Sequence, residues 1–80
     1  MIPKKVAEVE VKEVIRRILE DKKSYSTSLN YAVNYCVVAL SQSGHELAIQ
    51  CLYILNNISR WKNPEAKRVR EVLKTFSKGK

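Results

Sequence analysis

From Ser24 to Ser59 the chain carries one formal charge, Glu46, in 36 consecutive positions. Nearly half of an 80-residue protein thus has almost no charged side chain to turn towards water. The flanks are the opposite: residues 1–23 hold seven basic and five acidic groups, and residues 60–80 hold eight basic and two acidic. A chain this short buries only about 60% of its unfolded surface. Two short charged flanks therefore struggle to cover both sides of an uncharged middle, and a second copy of the chain is the simplest cover.

Apolar spacing says what the middle is made of. Leu29, Ala32, Val33, Cys36, Val37 and Leu40 recur at helical intervals, with a second apolar face at Tyr31, Tyr35 and Val38. The run Ser41-Gln42-Ser43-Gly44 interrupts this pattern, and Ser43 with Glu46 three residues on matches a capping box for a new helix. That helix carries Leu47, Ala48, Cys51, Leu52, Ile54, Leu55 and Ile58 towards Trp61. A turn at Ser43 and Gly44 makes partners of residues whose numbers sum to about 87. It pairs Leu40 with Leu47, Cys36 with Cys51, Val33 with Ile54 and Leu29 with Ile58, four apolar levels from one turn.

The flanks read as one amphipathic helix each. Ala7, Val11, Val14, Ile15, Ile18 and Leu19 share a face, so a helix is expected from about Val11 to Lys22, while the alternation over residues 6–11 also allows a short strand. Ser24, Ser26 and Thr27 offer N-caps for the following helix. Asn63-Pro64-Glu65 is a helix start: a capping amide, a ring suited to the first turn and a carboxylate that complements the dipole. The last helix buries Ala66, Val69, Val72, Leu73 and Phe76. The expectation is one all-α domain over residues 1–80: a small bundle of about four helices around an antiparallel hairpin, paired as a dimer.

Little in the chain points to catalysis. It has no Gly-rich phosphate loop, no nucleophile elbow and no His-Glu-x-x-His. His45 has no recognisable nucleophile or orienting partner, and it alone could join Cys36 and Cys51 at a metal that wants four ligands. The two cysteines read as small buried hydrophobes that let helices approach, since a disulfide needs Cα atoms about 4.4–6.8 Å apart, closer than the usual helix spacing. No enzyme activity, cofactor or metal is expected. No apolar block follows Lys4 and Lys5, and the longest uncharged run, Ser24 to His45, contains Asn30, Asn34, Gln42 and five serines that lipid would leave unpaired. A cytoplasmic protein without a membrane partner is expected. Lys and Glu supply 17 of the 23 charged residues, a thermophile-like bias, although five asparagines and two cysteines oppose it.

Two surfaces remain as candidates. Tyr31, Tyr35, Ile49 and Tyr53 are the expected self-association face, because aromatics favour interface cores; the alternative places them under the terminal helices. Lys67, Arg70, Lys74 and Lys78 fall within about 80° on the last helix, with Arg60 and Lys62 just before it, a stripe able to neutralise nucleic-acid phosphates or merely to keep the helix soluble. Trp61 either stacks on a base or closes the core. Asn30, Asn34, Asn56 and Asn57 suit a recognition surface or buried register-setting bonds. The functional expectation is a non-enzymatic assembly or protein-interaction module, the alternative being a small nucleic-acid-binding protein that uses its basic C-terminal helix.

Overall fold

The computed structural model describes residues 7–78 and contains four α-helices: α1 (Glu8–Glu20), α2 (Ala32–Ala39), α3 (Gly44–Asn56) and α4 (Ala66–Lys78). Chief contacts run α1 to α2, α2 to α3, α3 to α4 and α4 back to α1. The bundle is thus a ring, with the α2–α3 hairpin as one layer and α1 beside α4 as the other. Their apolar stripes meet in one core whose largest wholly buried side chain is Trp61.

Helix α1 starts at Glu8, so the strand alternative for residues 6–11 gives way to helix from Glu8 onwards; Val6 lies outside the described residues. Glu8 and Glu10 in the first turn favour that start, because carboxylates complement the positive end of the helix dipole. Val11, Val14, Ile15 and Ile18 are buried at helical spacing. The helix stops at Asp21, whose N–H donates to the Ile18 carbonyl.

Residues 22–31 form a short 3-10 segment (Lys22–Ser24) and then successive turns, so α2 is shorter than its apolar pattern. Leu29 reaches the core from a turn: its N–H donates to the Ser24 carbonyl, and its own carbonyl accepts from Ala32 and Val33. None of Ser24, Ser26 and Thr27 caps α2, which begins after Tyr31 without a side-chain cap. The reason is local competition: the Ser24 hydroxyl donates to Asp21 and the Thr27 hydroxyl to the Ser24 carbonyl. Tyr25 closes this segment onto α1 by donating to the Leu19 carbonyl.

Helix α3 begins at Gly44 as expected, but the capping box does not form. Ser43 makes no side-chain cap bond, and the Gly44 N–H donates instead to Glu8 Oε2 of α1 at 2.8 Å. A charged acceptor at a helix N-terminus outcompetes a hydroxyl. Gly44 has φ +56°, a left-handed geometry that a residue without Cβ adopts readily. Asn63 behaves as its position suggests: its Oδ1 accepts from the Glu65 N–H at 2.9 Å, opening α4.

Asp21, the chain's single aspartate, ties the end of α1 to the α3–α4 connection. Its Oδ2 accepts from Trp61 Nε1 at 2.7 Å, from Ser24 Oγ at 3.1 Å and from Asn63 Nδ2 at 3.4 Å. The Trp61 bond is the main reason that its carboxyl lies below the usual carboxylate range. Desolvation opposes the shift; the Asn63 and Ser24 bonds and the Lys23 charge assist it.

Candidate functional site

The two helices richest in apolar residues belong to the layer with least charge. On α2 and the residue before it, Tyr31 is 73% exposed, Val38 42% and Tyr35 37%; on α3, Leu52 is 49% and Tyr53 45% exposed, and Ile49 is half-buried. The rings of Tyr35 and Tyr53 meet across the hairpin with centroids 5.3 Å apart and planes tilted by 40°. Their numbers sum to 88, one from the expected register. Tyr31 and Asn56, which sum to 87, line one surface notch. Helices α1 and α4 pack against the other side of this hairpin, so the tyrosines are not tucked under them.

Tyr31, Tyr35 and Tyr53, singled out from the sequence, are thus exposed, and the exposed apolar surface extends beyond them. Val38 was legible as a neighbour of Tyr31 and Tyr35 on the second apolar side of α2. Leu52 was counted with the core, yet it follows buried Cys51 by one position and so lies about 100° round the helix from it.

The basic residues divide. Lys67, Arg70 and Lys74 come together with Leu55 and Glu71 around a shallow depression of about 530 Å³ between α3 and α4. Arg70 Nη1 donates to the Trp61 carbonyl at 3.3 Å, which orients its guanidinium. Lys62 and Lys78 are exposed at either end of α4. Arg60 stands apart and lines the notch of about 240 Å³ at the open end of the hairpin, beside Tyr31, Asn30, Asn56 and Asn57. Trp61 is wholly buried with its N–H committed to Asp21, so it closes the core and does not stack on a base.

Among the described residues, the ion pairs that involve α4 lie on its other edge. Arg68 reaches Glu13 of α1 at 3.5 Å and Glu65 at 3.8 Å, and Arg17 of α1 reaches Glu65 at 4.0 Å. These acids neutralise the seam between α1 and α4, while among the described residues Lys67, Arg70 and Lys74 form no ion pair.

Cys36 and Cys51 are free and wholly buried. Burial pushes both thiols up to about 12, with Cys51 adding to the effect on Cys36, so neither forms a nucleophilic thiolate near neutral pH. Among the described residues no group of three His, Cys, Asp or Glu gathers to hold a metal ion, and no helix is long and apolar enough to cross a membrane. No known family, curated protein or solved structure matches the chain.

Proposed function

We propose that this protein is a non-enzymatic assembly module that self-associates through the outer face of the α2–α3 hairpin, two copies meeting across a two-fold axis. The observation that carries this reading is the Tyr35–Tyr53 ring pair at the centre of an exposed apolar surface. Glu46, in the first turn of α3, is the one charge on the whole hairpin.

The placement of charge favours a second copy as the occupant. Each chain carries +7, so like chains repel unless they meet at a surface remote from that charge. Helix α4 holds five basic residues and one acidic residue and lies in the opposite layer. Hairpin-to-hairpin packing centred on the Tyr35–Tyr53 pair keeps both basic layers outermost and buries these two rings without burying an unpaired charge, with Tyr31, which lines the separate notch beside Asn30 and Arg60, outside the contact. A two-fold interface also needs only one self-complementary patch.

Light scattering on a size-exclusion column tests this with the native chain and Tyr35→Glu/Tyr53→Glu. Both positions are exposed, so helical circular dichroism is retained while four carboxylates are forced together across the axis. The native protein elutes at twice the chain mass and the variant at the chain mass. Equal masses for the two proteins would overturn the proposal and direct the search to a different protein partner.

A further inference from the structure

The two depressions that the end of α3 helps to line have complementary chemistry. Leu55 lines the one that holds Lys67, Arg70 and Lys74; Asn56 and Asn57, the next two residues, line the one that holds Tyr31 and Arg60. Consecutive residues at the end of α3 thus line a cationic trough and a notch of amides and one aromatic ring.

Each half suits a different part of one ligand. Lys67, Arg70 and Lys74 recur at intervals of three and four residues, a row about 10 Å long at 1.5 Å per residue, with no ion pair among the described residues to neutralise it. Glu71 is the one acidic side chain in the trough. A row of three cations against one carboxylate, none of them ion-paired among the described residues, fits a backbone with one negative charge at every step. In the notch, Tyr31 is 73% exposed and offers a ring face. The amides of Asn30 and Asn56 are exposed. Asn57 donates its Nδ2 to the Tyr53 carbonyl, which leaves its Oδ1 as an acceptor. Amides both donate and accept, as the edges of unpaired bases do, and a tyrosine ring stacks on any base.

We infer that the protein binds single-stranded nucleic acid, with phosphates along Lys67, Arg70 and Lys74 and one unpaired base on Tyr31 among the asparagines. A duplex stacks its bases internally and leaves the notch empty. An acidic peptide would use the cationic row and have no base to lay on the ring. The inference goes beyond self-association and does not rest on it, since every residue it uses lies within one chain.

Fluorescence anisotropy tests it with a labelled single strand of mixed sequence, as RNA and as DNA, an abasic strand of the same length, the matching duplex and polyglutamate. Lys67→Ala/Lys74→Ala and Tyr31→Ala alter exposed side chains only, and circular dichroism confirms that both variants fold. Native affinity falls steeply with salt, and the double-lysine variant has a log–log slope shallower by about 1.4, from roughly 0.7 per phosphate contact on a single strand. Tyr31→Ala binds the base-bearing strand at least about fivefold more weakly with the slope unchanged, and binds the abasic strand as the native protein does. Three results would overturn the inference: no binding at low salt, equal losses on abasic and base-bearing strands in Tyr31→Ala, or polyglutamate or duplex bound as tightly as the single strand.

Discussion

The α1/α4 layer and the α2/α3 layer contribute similar apolar stripes to one core but finish their outer surfaces differently. The first dresses itself with charge: Arg68, Glu13, Arg17 and Glu65 link its two helices, and Lys67, Lys74 and Lys78 face water. The second dresses itself with tyrosine, valine, leucine and amides. A helix with one apolar stripe needs one packing partner, whereas a helix apolar on two sides needs two. Within one chain α2 and α3 receive only the first. The difference places the exposed apolar surface on the hairpin and nearly all of the charge on the terminal helices.

Removing side chains from inside and outside sharpens that contrast. Trp61→Ala takes the largest buried side chain from the junction of both layers and leaves Asp21 without its shortest bond. It should cost about 3–5 kcal/mol in urea unfolding, a large share of a small domain's stability. Tyr53→Ala, half-exposed on the outer face, should cost the isolated chain only about 0.5–1.5 kcal/mol, the worth of its ring contact with Tyr35. A comparable loss for both would mean that the outer face belongs to the fold of one chain.

The next largest effect tests the link between layers. Glu8 of α1 caps α3 at Gly44, so Glu8→Ala should lower stability by about 0.5–2 kcal/mol, and Glu8→Gln by less, because an amide oxygen still accepts the bond. A loss of helix confined to α1, with α3 amides unchanged in hydrogen exchange, would deny that the cap acts across layers.

The smallest effect is one of pH. The Asp21 carboxyl lies below its ordinary value of 3.8 in the fold, held there chiefly by Trp61. A carboxylate with a lowered folded pKa contributes its stability fully above the unfolded value and loses it as pH falls through the folded one. Stability of the native chain should therefore decline from about pH 4 downwards, and this part of the decline should be missing in Asp21→Asn. Identical acid limbs for the two proteins would remove Asp21 from the junction.

Most of the architecture was legible because it follows from periodicity. The hairpin register came from four apolar pairs around Ser43 and Gly44, and the contact between Tyr35 and Tyr53 lies within one residue of it. The start of α4 was readable because Asn63 caps it through a local bond. What escaped depends on contacts between residues far apart in sequence. Glu8 is 36 residues from Gly44, and Asp21 is 40 from Trp61, so no local pattern announces either bond. The stripe on α4 was visible as a row, but its division into a neutralised edge and a bare one required Glu13 and Arg17 of α1. Arg60 was grouped with the row by proximity in sequence, while the chain between α3 and α4 carries it to the notch.

Sedimentation equilibrium of the native chain at low and high salt tests the central claim most directly. Association through an uncharged aromatic face between two chains of charge +7 predicts twice the chain mass at low salt and an equal or tighter dimer at high salt, where screening weakens the repulsion while burial is preserved. The chain mass at every concentration, or a dimer that dissociates as salt is raised, would contradict it.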